Sequence, residues 1–348
     1  MHKTPSAFRR PSRFLRAVAV TGAAMAISAS FATVGGAAAT ASGTVNLVAY
    51  STPSAAYTAI AKAFSALPAG QGITIAGSYG ASGTQAKNVI AGQPADVVNF
   101  SLEPDMETLV KAGLVSPKWD TVGPEHGNVT DSVVVFIVRP GNPLHIHGWS
   151  DLVKPGVQVV TPNPFSSGSA RWNLAAAYGA ELKLGKTPKE ANTYLAALLK
   201  NTVSQPTSAS TALASFVAGT GNVLLDYEDD AIAAQNKGDQ IQYVIPKQDI
   251  LIQNPIAVTT NATNPAGAQA FVKFLLSKKG QELWAIEGYR PVLPGAAAAV
   301  GVSFPTPKQL FTISSLGGWT KVVSTMFDPT SGTITKIEAS LGQSTASG

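Results

Sequence analysis

Short apolar runs alternate with amphipathic stretches along the first third of the chain. The apolar runs have the length of buried strands, and the stretches between them carry an apolar face at helical spacing. The predicted strands span residues 45–50, 73–75 and 95–100, and helices are predicted over 55–64, up to 90, and over 105–112. This β-α-β-α-β order predicts a mainly parallel sheet in an α/β protein.

The remaining two thirds of the chain continue the alternation without an internal repeat. A long β-branched run at residues 131–139 ends in a Pro/Gly turn and marks a point where the chain leaves the first sheet. Further strands are predicted at 157–161, 223–225, 241–245 and 252–259, and further helices at 170–178, 189–200, 227–235 and 265–287, the last broken near Gly280. The order suits a second domain inserted between two halves of the first, in a chain of two-domain length.

Charge is concentrated at the N-terminus. The net charge is +5, but residues 1–42 hold five cationic residues and no acid, which leaves 20 cationic against 20 acidic residues elsewhere. A neutral remainder argues against a nucleic-acid partner. Residues 1–41 have the basic, apolar and small-residue regions of a signal peptide, with cleavage predicted after Ala39 or Ala41. An uncleaved anchor is the alternative, and Arg9-Arg10 leaves twin-arginine export open beside general secretion.

The chain contains no cysteine. It therefore has no acceptor for a lipoprotein anchor, and thiol catalysis, iron–sulfur clusters and zinc–cysteine sites are excluded. Together with the signal peptide, this predicts a periplasmic or secreted globular protein that carries no cofactor.

Two loops rich in Gly and Ser stand out, at residues 80–84 (GASGT) and 166–170 (SSGSA), each between a predicted strand and a helix. A helix N-terminus presents unpaired N–H groups and partial positive charge, and small residues let an anion approach that backbone. The loops therefore suit sulfate, phosphate or carboxylate. Ordinary helix capping by Ser or Thr is the alternative interpretation.

Other candidate chemistry is weaker. Neither loop continues as a phosphate-binding Gly-Lys-Ser/Thr, and no G-x-S-x-G elbow supports a serine hydrolase. A hydrolase that uses Ser167 or Ser82 stays a remote alternative, since no His lies in either loop. His145 and His147 are predicted to lie in a solvated turn. Residues 226–230 (DYEDD) place four acids where a strand meets a helix, with Asp226 and Tyr227 directed to a cleft.

Residues 161–173 (TPNPFSSGSARWN) resemble the signature T-P-N-P-x-[ST]-S-G-G-A-R-W-N of the periplasmic sulfate/thiosulfate-binding proteins, the receptors of ABC importers. Residues 78–86, 95–98, 149–156 and 317–319 extend the resemblance over most of the chain. It implies an α/β, two-lobed periplasmic-binding-protein (Venus-flytrap) fold of type II with two crossing hinge segments. Lobe one is expected at 43–130 plus 258–348, and lobe two at 131–257.

The resemblance also implies an oxyanion site made of uncharged donors. Ser82 matches a residue that supplies a backbone N–H from the first loop. Ser167 matches a hydroxyl donor, with N–H groups from Gly168 and Ser169. Ala209 matches a further N–H donor. Because Ser169 replaces a family Gly, its side chain is expected to point away from the ligand.

Three more positions complete the implied site. Ser51 replaces a family Asp whose backbone N–H faces the ligand. Arg171 matches a residue that supports the site from behind without touching the anion. Tyr227 replaces the Trp whose indole N–H binds the anion, and a phenol can donate or accept where an indole only donates.

The implied function is an exported receptor, not an enzyme, that captures sulfate and delivers it to a membrane ABC permease as a monomer. Thiosulfate, molybdate and phosphate are alternative ligands on the same fold. Hydrogen phosphate carries a proton and needs an acceptor, which Glu103 or Asp226 would supply.

Overall fold

A computed structural model describes residues 42–345, so the predicted signal peptide lies outside the described residues. The strands are β1 (Gly43–Tyr50), β2 (Ile73–Gly80), β3 (Val97–Asn99), β4 (Asn128–Ser132), β5 (Val134–Val138), β6 (Val159–Val160), β7 (Thr202–Ser204), β8 (Val223–Tyr227), β9 (Gln242–Val244), β10 (Gln248–Ile250), β11 (Ile252–Val258), β12 (Arg290–Pro291) and β13 (Gln309–Phe311).

The α-helices include the stretches predicted above and four that were not predicted, which begin at residues 209, 296, 318 and 333. They are α1 (Ser54–Ser65), α2 (Ser82–Ile90), α3 (Glu103–Lys111), α4 (Gly168–Lys183), α5 (Pro188–Lys200), α6 (Ala209–Val217), α7 (Glu228–Lys237), α8 (Pro265–Leu275), α9 (Lys278–Ile286), α10 (Ala296–Ala299), α11 (Gly318–Val322) and α12 (Thr333–Ser340). Within residues 42–345, none of the helices has both the length and the apolar character needed to cross a membrane.

The strands form two main sheets. The first sheet has six strands in the order β12-β4-β11-β3-β1-β2, and β1 is parallel to both β2 and β3, as the β-α-β-α-β pattern predicts. The second sheet has five strands in the order β7-β6-β8-β5-β9, with β6 parallel to β7 and β8. A separate pair joins β10 to β13.

The chain crosses between the sheets twice. Only Val133 separates β4 of the first sheet from β5 of the second, so the single long strand predicted at 131–139 is in fact two strands in different sheets. The return crossing lies between β9 and β11. Two sheets with two crossings agree with the two-lobed fold that the resemblance implies.

The lobe limits stay a prediction, since the described residues belong to one compact unit. Strand pairing places β11 in the first sheet, although most of it falls within the range predicted for lobe two. The C-terminal segment packs its apolar side chains into the core beneath the second sheet. Trp319, for example, meets Trp172 edge-on with ring centroids 4.6 Å apart.

The predicted helix at 265–287 is interrupted near Gly280, at residues 276–277. α8 ends at Leu275 and α9 begins at Lys278, with the Ser277 hydroxyl accepting the N–H of Gly280 at 3.2 Å. A Cβ on Gly280 would lie 2.1 Å from the Phe274 carbonyl oxygen. The glycine therefore permits the tight turn between the helices, while Ser277 caps the second of them.

Candidate functional site

Three helices begin at predicted anion-binding residues, and the sequence patterns predicted the first two of these helices but not the third. α2 begins at Ser82, α4 at Gly168 directly after Ser167, and α6 at Ala209. None of the three has an acidic residue in its first turn. Among the described residues, no acceptor is found for the backbone N–H groups of Ser82, Gly168, Ser169 and Ala209. These starts therefore keep their N–H groups and partial positive charge available.

The first two loops lie against each other. The Gly83 N–H donates to the Ser166 carbonyl at 3.1 Å, which joins the start of α2 to the loop before α4. The Ser82 hydroxyl donates to Asp105 Oδ2 at 2.6 Å and accepts the Ser101 N–H at 3.0 Å. The hydroxyl proton of Ser82 is thus used within the protein, while its backbone N–H remains for a ligand.

The start of α4 is packed closely against the end of β3. A Cβ on Gly168 would lie 2.1 Å from Leu102 Cδ2 and 2.7 Å from Ser101 Oγ, so only glycine fits. The Ser167 and Ser169 hydroxyls are hydrogen-bonded to each other at 2.8 Å. The Ser169 side chain therefore lies beside the hydroxyl predicted to bind the anion, a contact that the motif alone does not predict.

A third contact joins Ser51 to α6. Ser51 follows β1 of the first sheet, whereas α6 packs on β8 of the second. The Ser210 N–H donates to Ser51 Oγ at 3.4 Å, next to the buried Ala209. A cavity of about 610 Å³ opens beside Ser51 and Ser210. This side of the site is therefore bridged by that long hydrogen bond and by the Thr52 hydroxyl, which donates to Asp230 Oδ2 at 2.9 Å.

Tyr227 ends β8 and is fully buried. Its hydroxyl lies 2.6 Å from Ser101 Oγ, and its ring centroid lies 6.4 Å from that of Tyr50, the neighbour of Ser51. Burial raises the pKa of Tyr227 well above its usual value, so the hydroxyl keeps its proton. The structure thus brings Tyr227 to the same place as the starts of α2 and α4.

Ser101 is the residue that sequence reasoning missed. It contacts Ser82 and Tyr227 and adjoins Gly168, although no motif includes it. Its carbonyl accepts from Trp172 Nε1 at 2.8 Å and from Asn254 Nδ2 at 3.0 Å. The available signal was its position just beyond β3, because ligands bind at the carboxyl ends of parallel strands.

Arg171 contacts the loop that precedes α4. Its Nε donates to the Pro164 carbonyl at 2.9 Å, and its guanidinium lies 5.4 Å from the centroid of the Phe327 ring. Burial raises the pKa of Asp105, and the positive charge of Arg171 opposes that shift. The cation therefore supports the carboxylate that anchors Ser82.

The remaining candidates lie elsewhere. Asp226 is buried beneath the backbone of Tyr227, whose N–H it accepts at 3.0 Å, and Glu103 begins α3. His145 and His147 are exposed, and within residues 42–345 no cluster of side chains suits a metal ion. The hydroxyl partners of Ser82 and Ser167 are Asp105, Ser101 and Ser169, so neither serine has the His base of a hydrolase.

Two sheets flanked by helices, a chain that passes twice between them, and clustered helix N-termini define the class of two-lobed binding proteins. The family described as bacterial extracellular solute-binding protein matches residues 45–290, and the chain belongs to this family. Membership confirms the prediction of a binding protein that is not an enzyme.

Individual relatives support the same assignment. The structure of the sulfate-binding protein SubI from Mycobacterium tuberculosis H37Rv is 43% identical, with a TM-score of 0.78 over 82% of this chain and 99% of that one. A sulfate-binding protein of Synechococcus elongatus is 40% identical over 74% of this chain and 75% of its own length. A thiosulfate-binding protein of Pseudomonas aeruginosa is 34% identical over 74% and 80%. The predicted family and fold class are confirmed.

Proposed function

We propose that the chain is an exported receptor that captures sulfate between two lobes and delivers it to an ABC permease in the membrane. The observation that carries this proposal is that α2, α4 and α6 begin at the candidate site. Their first turns keep unpaired N–H groups and contain no acidic residue. Such a site suits a fully ionised dianion because the backbone N–H groups that face it can only donate. The relatives named for sulfate point to the same ligand.

Each predicted site residue has a role in this proposal. Backbone N–H groups of Ser51, Ser82, Gly168, Ser169 and Ala209 donate to the anion. The hydroxyls of Ser167 and Tyr227 add two side-chain donors, and Arg171 stabilises the loops without contact. No side-chain cation is needed, because unpaired N–H groups and helix dipoles already supply positive potential.

Closure of the lobes traps the anion. Hydrogen bonds between elements of the two sheets close the site, among them those from Ser210 to Ser51, from Gly83 to Ser166 and between Tyr227 and Ser101. Rotation about the two crossing segments would break and remake these bonds, which is hinge motion of the usual kind for such receptors. The receptor acts as a monomer in the periplasm or outside the cell, after removal of residues 1–41, without nucleic acid or cofactor.

Isothermal titration of the purified protein with sulfate, thiosulfate, molybdate and phosphate tests the proposal. We expect sulfate to bind most tightly, and Ser167→Ala to weaken it by about 10- to 150-fold, the worth of a hydrogen bond to a charged partner. Ser65→Ala, at an exposed serine that ends α1, is the matched control and should change nothing. Unchanged sulfate affinity in Ser167→Ala would remove Ser167 from the site.

Thiosulfate is the second candidate, favoured by the relative named for it in Pseudomonas aeruginosa. Thiosulfate exchanges one oxygen of sulfate for a larger sulfur, which accepts hydrogen bonds weakly. Tighter binding of thiosulfate than of sulfate in the same titration would replace sulfate as the ligand and leave the site unchanged.

A further inference from the structure

Ser101 and Tyr227 form an isolated pair of hydroxyl groups at the candidate site. Their oxygens lie 2.6 Å apart, and either one can be the donor. Among the described residues, neither hydroxyl has another hydrogen-bond partner. The pair has two protons and uses one between its members. One proton and several lone pairs therefore remain for a third group.

The position of Ser101 is fixed on both sides of its peptide unit. Its N–H donates to Ser82, and its carbonyl accepts from Trp172 and Asn254. Its hydroxyl oxygen lies 2.7 Å from the point where a Gly168 Cβ would be. The hydroxyl pair is thus held immediately beside the N–H groups that begin α4, where the proposed anion binds.

Both members of the pair keep their protons. Burial raises the pKa of Tyr227 well above its usual value, although the hydrogen bond with Ser101 acts in the opposite direction. A serine hydroxyl does not ionise in water. The pair is therefore a neutral two-hydroxyl unit, and its only freedom is the direction of its internal hydrogen bond.

We propose that Ser101 is a specificity-determining residue, which makes the site accept singly protonated tetrahedral oxyanions, such as hydrogen phosphate, beside sulfate. This inference rests on the proposed function. When Ser101 donates to Tyr227, the phenolic proton points to the ligand and binds an ionised oxygen. When Tyr227 donates to Ser101, the phenolic oxygen accepts the O–H of a protonated anion.

Ser101 makes the second arrangement possible because it receives the phenolic proton. A site made only of donors leaves an anion O–H facing an N–H, and an unpaired buried polar group is strongly rejected. The Ser101 hydroxyl removes that penalty without any carboxylate at the anion. Asp226, the acceptor suggested by the sequence, is engaged behind Tyr227 instead.

Titration of the parent protein, Ser101→Ala and Tyr227→Phe with sulfate, selenate and inorganic phosphate tests the inference. Sulfate and selenate carry no proton at neutral pH, and selenate controls for ligand size. We expect the parent to bind phosphate. Ser101→Ala should weaken phosphate at least about tenfold more than sulfate or selenate, since Tyr227 can still donate to an unprotonated anion but has lost the acceptor for its own proton. Tyr227→Phe should weaken all three anions.

The outcomes separate this inference from the proposed function. A parent that binds sulfate but no phosphate overturns the inference alone, and so does an equal loss of all three anions in Ser101→Ala. A parent that binds phosphate but no sulfate overturns the proposed ligand. In that case the phosphate affinity of Ser101→Ala relative to that of the parent decides the role of Ser101. Should Ser101→Ala misfold by near-ultraviolet circular dichroism, Tyr227→Phe decides, because unchanged phosphate binding there removes the hydroxyl pair from the site.

Discussion

The start of α7 and the starts of α2, α4 and α6 use the same helix property in opposite ways. The first turn of α7 contains Glu228, Asp229 and Asp230, all buried, whereas the other three first turns contain no acid. At α7 the favourable potential of the helix N-terminus is satisfied by the protein's own carboxyl groups. At the other three it stays available. An anion site thus depends as much on where acids are absent as on where donors are present.

The acids of α7 are neutralised by neighbours and by burial. Arg290 Nε donates to Glu228 at 2.6 Å, the Thr52 hydroxyl to Asp230 at 2.9 Å, and the Ser132 hydroxyl to Asp229 at 2.5 Å. Burial also raises the pKa values of Asp229 and Asp230, which favours their protonated forms, while the charge of Glu228 is balanced by that of Arg290. This keeps negative charge away from the neighbouring anion. The acidic start of α7 and the acid-free starts of α2, α4 and α6 can therefore be tested separately by substitution.

Arg290→Met should have the largest effect on stability. It leaves Glu228 buried without its cation, which costs about 3–5 kcal/mol for a buried pair. The Glu228 side chain is only 1% exposed, so water cannot replace the guanidinium. Urea denaturation measures the loss. Lys279→Met, which breaks the exposed Lys279–Glu282 pair, is the control and should change stability by under about 1 kcal/mol. Equal losses in the two variants would contradict the charge balance described for α7.

Gly168→Ala should come next, with its main effect on binding. The new Cβ must displace Leu102 or Ser101, which costs about 1–3 kcal/mol of stability. The start of α4 would move away from Ser101, and loss of its donors should weaken sulfate binding by about 10- to 100-fold. Gly148→Ala is a matched control, because a Cβ there meets nothing within 4 Å and φ is −160°. Titration and denaturation should leave that control like the parent.

Sequence patterns predicted what depends on neighbours along the chain. The parallel order of β1, β2 and β3, and the helices that begin at Ser82 and Gly168, follow from local periodicity and Gly/Ser loops. The split of residues 131–139 does not, because only Val133 separates β4 from β5 and the two strands pair with partners in different sheets. Pairing of this kind is decided by partners far away in the sequence.

Ser101 shows the same limit at the site. Nothing in the residues around it distinguishes it from an ordinary serine after a strand. Ser101 belongs to the site because it contacts Tyr227, which is 126 positions away, and packs against Gly168, which is a glycine. The motif located the backbone donors well, but side-chain pairs between the sheets become visible only in the folded chain.

The acid region predicts a dependence of stability on pH. Burial, the largest cause, raises the pKa of Asp226 to about 7 from its model-compound value of 3.8. Between these values the folded state binds more protons than the unfolded chain, so stability falls as pH rises from about 4 to 7 and then levels. Asp226 alone should make the free energy of unfolding about 2 kcal/mol lower at pH 7.5 than at pH 5, because each unit of pKa difference is worth about 1.4 kcal/mol.

Asp226→Asn tests this assignment. The amide oxygen can still accept the Tyr227 N–H, while the titrating proton is gone. The variant should show a shallower fall in stability between pH 5 and 7.5. A pH profile identical to that of the parent would assign the slope to other acids, such as Asp131, whose pKa burial also raises to about 7.

Ser210→Asp makes the start of α6 resemble that of α7, and it should have the smallest effect on stability. Ser210 is exposed and lies in a first turn without acids, so the substitution needs no repacking. A carboxylate there should stabilise the helix by about 0.3–1 kcal/mol. It also lies beside the Ala209 N–H and the mouth formed with Ser51. The same charge should therefore repel a dianion and weaken sulfate binding by about tenfold at low salt.

The opposite signs of these two effects make Ser210→Asp informative. Ser210→Asn keeps the size and capping ability of the side chain without its charge, and it should bind sulfate like the parent. The difference between the two variants should shrink as ionic strength rises, because an exposed charge is screened by salt. If Ser210→Asp binds sulfate as tightly as Ser210→Asn at low salt, the start of α6 does not face the anion. The donor role of Ala209 would then be wrong, and the site would be confined to the loops that begin α2 and α4.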